Sequence, residues 1–384
     1  MNDGELTVVD GAAVVPPVRR GRRVSIADVA RRAGVSAQTV SRVSNGFPGV
    51  VESTRDTVLA AMAELGYRPN SAARALKRGE FRTIGVIVFS LSTTGSTRTV
   101  EGIATSAAEA GYAITLLPVA VPTQGSLRGA FTRLEELAVD AVIIVMEMHL
   151  LDSAAIDLPR GMPVVVGDYD AGARYSVVDT DQTGGARAAV QHLLDLGHRT
   201  VWHVAGPAAS FAAQRREESW EATLRAAGLD VPPVVRGDWT PESGYRAGLR
   251  LADEADCTAV FAANDEMALG VLRAMHERDR AVPGDVSVVG FDDIPHAASF
   301  FPPLTTVHQD FAEVGRQCVQ GVLRQIRTDE PEHGFTIVPN RLVVRRSTAP
   351  PSPMVGSGEH DDQPGAGGRV DAGEDRPHGR PRGT

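Results

Sequence analysis

Gly34 separates two short segments that each carry an apolar stripe at helical period, and this break most restricts how the N-terminal part of the chain can fold. Before it, Ile26, Val29, Ala30 and Ala33 fall at i, i+3, i+4 and i+7, one face of a helix. Ser25 with Asp28 three residues on has the spacing of a capping box, with Asp in place of the usual Glu. Gly takes the left-handed conformation of a sharp turn at little cost, so the first helix is expected to stop at Gly34. Ser36 then caps a second helix that runs to Asn45. Val40 and Val43 can pack back on Val29 and Ala33, leaving Ala37, Gln38, Ser41 and Arg42 on another face. Side chains of these types read base edges in a major groove: Arg bidentate to guanine, Gln to adenine, a methyl against thymine. Ser36, Thr39 and Ser41 carry short hydroxyls suited to phosphate oxygens. On spacing alone, an ordinary two-helix hairpin with a polar outside stays open as an equal alternative.

Charge bears on that choice through its distribution. The 384 residues carry a net charge of -9, which spread evenly would disfavour nucleic acid. From Arg19 to Arg82, however, thirteen Arg or Lys stand against five Asp or Glu, so this stretch is about +8 and the remainder about -17. A basic head on an acidic body suits a protein that touches DNA with one end only.

Further motifs follow in order: Glu64-Leu65-Gly66-Tyr67-Arg68-Pro69-Asn70 and Ala73-Arg74-Ala75-Leu76. Together with Val24 to Ser36 and Thr39 to Val43, they closely resemble the headpiece of the lac-repressor (LacI/GalR) family. The resemblance implies a helix-turn-helix DNA-binding domain over residues 23–68, with a third helix from about Ser53 to Leu65. It also implies a hinge helix over 69–80, entered at Asn70, that orders on the operator. There Ala73 and Leu76 would meet DNA, and Leu76 would wedge into the minor groove. Residues 1–22 lack periodicity and are expected to be a disordered basic arm. Its arginines could follow phosphates or simply be solvated.

From Thr83 the pattern changes to short β-branched runs alternating with helices. Strand-like stretches include 84–89, 113–119, 141–146, 163–166, 176–178, 200–205, 234–235, 259–262 and 286–289. Helical ones include 99–110, 127–138, 184–196, 217–227, 243–252 and 266–278. Continuous apolar strands joined by helices make parallel sheets covered on both faces. The number of units suggests two Rossmann-like lobes with a cleft at the carboxyl ends of their strands. Resemblance extends here too, through Leu196-Gly197-His198-Arg199, Asn264 to Gly270, Val286 to Ile294 and Pro303 to Val307, to about Arg346. It implies a two-lobed α/β periplasmic-binding-protein-like effector and dimerisation domain over 81–349. The tail 350–384 has no Leu, Ile or Phe and is expected to be disordered, without a zipper for tetramers.

No nucleophile–base pair, P-loop or H-E-x-x-H motif occurs, so an enzyme is not expected. Cys257, Cys318, His192 and His198 lack metal spacing, and neither metal nor cofactor is expected. Polar residues that follow apolar strands are more telling. Asp168, Asn264, Asp265 and Asp292 lie at strand ends, with Arg216 and Trp239 in comparable places. Carboxylates, an amide and a guanidinium beside an indole suit a small polyhydroxylated ligand. Asp265, before Glu266, reads instead as a helix cap. By position in the matching motifs, Asp168, Arg216, Asn264 and Asp292 resemble family effector contacts, with Trp239 and Phe311 as wall residues. The turn Ser92 to Ser96 lacks the aromatic that many relatives carry, so one wall is expected to be polar and the sugar's identity stays open.

The expected protein is a homodimeric transcriptional repressor in the cytoplasm. It would read an approximately palindromic double-stranded operator under control of a small effector, a sugar, with a nucleobase or other metabolite as alternative. No span long enough to cross a membrane is expected. A transport-type solute-binding protein would explain the body but not the basic head.

Overall fold

A computed structural model describes residues 24–68, 79–150, 161–167 and 175–352. The basic arm, residues 69–78 of the hinge and all but the first residues of the tail lie outside these, as do Asn70, Ala73, Leu76 and Asp168.

Among the described residues, three helices form the head: α1 (Ile26–Ala33), α2 (Ala37–Ser44) and α3 (Glu52–Glu64). The capping box is present. The Asp28 amide donates to Ser25 Oγ, and the Ser25 amide donates to Asp28 Oδ2 at 2.9 Å. Gly34 closes α1 at φ 67°, and the Val35 amide returns to the Ala30 carbonyl. Ser36 caps α2 by accepting from the Thr39 amide at 3.1 Å. Val29, Val40 and Val58, one from each helix, are fully buried with Val43, Ala61 and Met62 around them. The third helix starts and ends one residue earlier than expected.

The body has two six-stranded sheets. The first holds β1 (Thr83–Val88), β2 (Ala113–Pro118), β3 (Ala141–Val145), β4 (Val164–Gly167), β5 (Ser176–Thr180) and β11 (Gly334–Val338). Its order is β11-β5-β4-β3-β1-β2, all parallel. The second holds β6 (Trp202–Ala205), β7 (Val235–Arg236), β8 (Ala259–Ala262), β9 (Ser287–Asp292), β10 (Thr305–His308) and β12 (Arg341–Val343). Its order is β12-β10-β9-β8-β6-β7, parallel except for β12 against β10. The helices are α4 (Thr94–Glu109), α5 (Gln124–Glu136), α6 (Gln182–Asp195), α7 (Phe211–Ala226), α8 (Pro241–Ala252), α9 (Asp265–Glu277) and α10 (Phe311–Thr328). Central β3 is buried along its whole length, as a strand covered on both faces must be, whereas edge strand β2 is half exposed.

The chain passes between the sheets at Asp181, again at Gln309–Asp310 and a third time at Pro339–Asn340. Hydrogen bonds tie these passages together. The Asp181 amide donates to the Val338 carbonyl, Asn340 Nδ2 donates to the Asp181 carbonyl, and the Thr180 hydroxyl donates to Gln309 Oε1. The second passage sends α10 across from its strand β10 to pack on α4 of the first lobe. Contact there is nearly backbone to backbone, because Gly102 faces Gly315.

A Cβ on Gly315 would stand 2.5 Å from backbone atoms of Gly102 and Ile103, which have no rotamer by which to retreat. Gly315→Ala is therefore expected to cost roughly 1–3 kcal/mol, as overpacking does. Urea denaturation should show a lower midpoint. A wild-type midpoint would mean that the two helices do not meet this closely.

Candidate functional site

Helix α2 presents Ala37, Gln38 and Arg42 to solvent, with Thr39 and Ser41 half-buried. Its valines anchor the opposite side, so the exposed face is held by the core rather than by polar contacts. Gln38 and Arg42 have no side-chain hydrogen bond or ion pair among the described residues, so their donors are free for an outside partner. Ser36 and Thr39 also have a local task. Their hydroxyls lie 2.9 Å apart at the helix start. The Ser41 carbonyl accepts from Asn45 Nδ2 at 2.6 Å.

In the body, a cleft is lined from both sheets, with Thr93, Ser96 and Glu147 on one side and Arg216, Asn264 and Asp292 on the other. Trp239, Gln309 and Phe311 complete its wall. The empty space, including its mouth, is about 630 Å³. Residues of the second lobe arrive there because each follows the carboxyl end of a strand of one parallel sheet, or ends it as Asp292 does.

Arg216, in the second turn of α7, is almost wholly buried. Its Nε donates to Gln182 Oε1 at 2.8 Å and its Nη1 to the Ala263 carbonyl, while Asp292 Oδ1 lies 3.6 Å away. The guanidinium sits 3.8 Å over the Phe291 ring and 5.6 Å from that of Trp239. Asp292 also accepts from Gln309 Nε2 at 2.6 Å. Burial outweighs the pull of Arg216 and pushes the Asp292 carboxyl up to about 7. Trp239, Asp292 and Asp293 take φ of 73°, 113° and 53°, a conformation costly for side chains of these types and held only where surroundings enforce it. Gly206 makes room for the indole, since a Cβ there would lie 2.3 Å from the ring.

Asn264, not Asp265, caps α9: its Oδ1 accepts from the Met267 amide at 2.9 Å. Its Nδ2 donates to the Trp239 carbonyl and to Glu266, so it also fixes the indole-bearing turn. The expectation that Asp265 is the cap is corrected. Asp265 is fully buried, accepting from the Thr306 hydroxyl at 2.5 Å and the Ile294 amide at 2.9 Å. Burial, then the neighbouring Asp292, pushes its carboxyl well above the usual range. It ties α9 to β10 and the turn after β9.

The cleft thus brings together Arg216, Trp239, Asn264, Asp292 and Phe311 of the expected set. The turn before α4 supplies the polar wall, although the Phe311 ring closes on Gly95 beside it. Sequence reasoning missed Glu147, Asp179, Gln182 and Gln309. Glu147 follows β3 as Asn264 follows β8, so the rule that selected Asn264 would have found it. Gln182 and Gln309 flank passages between sheets that no local pattern reveals.

The family described as bacterial regulatory proteins, lacI family, matches residues 25–70, and that of periplasmic binding protein-like domains matches 190–348. The HTH-type transcriptional repressor PurR of Haemophilus influenzae is 34% identical over 337 residues, covering 84% of this chain and 98% of that protein. A lac repressor dimer bound to operator and the anti-inducer ONPF superposes with a TM-score of 0.76 at 32% identity, over 85% of this chain and 100% of the other. A complex of the transcriptional regulator CelR with cellobiose gives a TM-score of 0.62 at 32% identity, with the same coverage.

Asp292 generates a pH test. Its carboxyl rises from 3.8 to about 7 on folding, so between these values the folded protein keeps a proton that the unfolded chain has lost. The stability tied to it is full below about pH 4 and is lost as pH rises through about 7. Asp292→Asn should flatten that fall in a series of denaturant midpoints. Curves parallel to wild type would mean that Asp292 ionises normally.

Proposed function

The chain belongs to the lacI family of bacterial regulatory proteins, and from that premise we propose how it acts. It is a sequence-specific DNA-binding transcriptional repressor controlled by a small molecule, a sugar, held between two lobes. Its relatives are transcription regulators, and we read it as a regulator without enzymatic activity. No helix among the described residues is long and apolar enough to cross a membrane. We read the cytoplasm, where a bacterial operator lies, as its place of action.

Residues 23–68 are the DNA-binding unit, 69–80 the hinge and 81–349 the effector and dimerisation unit. The limit at 349 is supported by Ser287 Oγ and the His198 ring, which reach the Ala349 carbonyl at 2.9 and 3.0 Å. Gln38 and Arg42 read base edges, with Ala37 offering a methyl. Ser36, Thr39 and Ser41 meet phosphates, and Asn70, Ala73 and Leu76 contact DNA from the hinge. The protein acts as a homodimer, since two heads related by a two-fold axis read the two halves of a palindrome.

Arg216, Asn264 and Asp292, with Asp168, bind the effector, and Trp239 and Phe311 wall it in. CelR is seen with cellobiose, and a polyhydroxylated ligand suits a cleft of carboxylates, guanidinium and indole. One observation carries the regulatory reading: the cleft is lined from both sheets, so a ligand there touches both lobes at once. A ligand that favours one lobe arrangement shifts the separation of the two hinges and with it the stability of the DNA-bound dimer.

Gln38→Ala or Arg42→Ala should cost roughly 1–3 kcal/mol on the preferred operator and relax base preference at one position of each half-site. Equal losses on every sequence would assign these residues to phosphates instead. The test of the whole reading is selection of bound duplexes from a random pool, then titration of sugars against the selected site. A palindrome whose retention changes with one sugar is expected. Absence of any enriched palindrome would remove the repressor reading, and a palindrome indifferent to all sugars would remove the sugar.

A further inference from the structure

Glu147 lies just beyond β3, and its carboxylate lines the cleft opposite Arg216 and Asp292. Its backbone is pinned to the other lobe. The Phe211 amide donates to its carbonyl at 3.3 Å, the next residue forms a β-bridge with Ser210, and the His149 amide donates to the Ala209 carbonyl at 3.0 Å. Its side chain is pinned to its own lobe: Oε1 accepts the hydroxyls of both Thr93 and Ser96, the latter at 2.5 Å.

These contacts leave Oε2 without a hydrogen-bond partner among the described residues, and no described Lys, Arg or His comes within 4.0 Å of the carboxylate. The cation of the cleft, Arg216, is already engaged by Gln182, Ala263 and Asp292. A half-buried, immobilised carboxylate oxygen accepts hydrogen bonds and cannot donate. Its charge strengthens contacts with cationic donors and opposes anions in a partly desolvated cleft.

We propose that Glu147 is a specificity-determining residue of the cleft, taking a donor group of the effector on Oε2 and ranking ammonium above hydroxyl while rejecting carboxylate and phosphate. This rests on the reading of the cleft as an effector site. Thr93 and Ser96 are positioning residues that hold the carboxylate in place.

The experiment is a panel of common sugars, each with its amino and acid counterparts (glucose, glucosamine and glucuronate, and the matching galactose and mannose sets). Dissociation constants are measured by calorimetry on wild type, Glu147→Gln and Ser96→Ala. Gln keeps an acceptor for the two hydroxyls, and the readout is a ratio within each protein, which a general loss of fold does not mimic. Wild type should prefer the amino member of the set it binds by about five- to tenfold over the neutral one and bind no acid member. In Glu147→Gln the ratio should fall to near one and the acid member should gain, and Ser96→Ala should move partway. An acid member bound best by wild type, or a ratio unchanged in Glu147→Gln, overturns the role of Glu147 and leaves the effector site standing. No binding of any member to any of the proteins overturns the sugar reading, and the proposal with it.

Discussion

The buried guanidinium of Arg216 is the contact on which the centre of this molecule depends. A charge removed from water is tolerable only when its donors are met. Here they are met by Gln182 beside the first passage between sheets, by the backbone at the end of β8, and by Asp292 at the end of β9. Asp292 in turn is held by Gln309 at the second passage, and Gln309 by Thr180 of the first sheet. One continuous polar network therefore runs from the cleft wall through two of the strands that join the lobes. The same buried groups that would meet a ligand also fix the passages between the two sheets, which gives binding a mechanical route to lobe orientation.

That network also accounts for the strained backbone at Trp239, Asp292 and Asp293. Asn264 holds the Trp239 carbonyl, Gly206 admits the indole, and Arg345 and His308 grip the Asp293 carboxylate at 2.6 and 3.0 Å. Each strained residue is fixed by a neighbour from a different strand end, so the cleft is largely preorganised on that lobe. The opposite wall is made of hydroxyls at the start of α4, including Thr94, which reaches Glu266 of the other lobe. The Thr94 contact, unlike those of Thr93 and Ser96 with Glu147, crosses from one lobe to the other, so separating the lobes must break it.

Much of this was legible from local pattern. The capping box at Ser25, the turn at Gly34 and the valines of α1 and α2 are short-range features, and they appear as expected. So do the apolar strands from β1 to β9, most of which are buried and, edge strands β2 and β7 apart, leave a continuous signature. What local pattern did not carry were α10, β10, β11 and β12. Phe335 and Ile337 of β11 are about half exposed, and β12 has three residues. Such edge strands have no strong periodicity, and their partners lie more than 30 residues away. The site divides in the same way. Residues at strand ends could be chosen by position, and Asn264 does line the cleft, but it also takes the cap expected of Asp265, because which of two adjacent polar side chains caps a helix depends on where β10 places Thr306.

The return of β11 to the first sheet and of β12 to the second means that neither lobe is a contiguous length of chain. During synthesis the head has all three helices once residue 64 has emerged, but the first lobe lacks its cover helix α10 and edge strand β11 until residue 338. By then nearly all of the second lobe has been made. A ribosome-bound chain therefore carries a folded head long before either half of its control unit is closed. The two lobes must be finished together, and no truncation between 181 and 338 leaves a complete one behind.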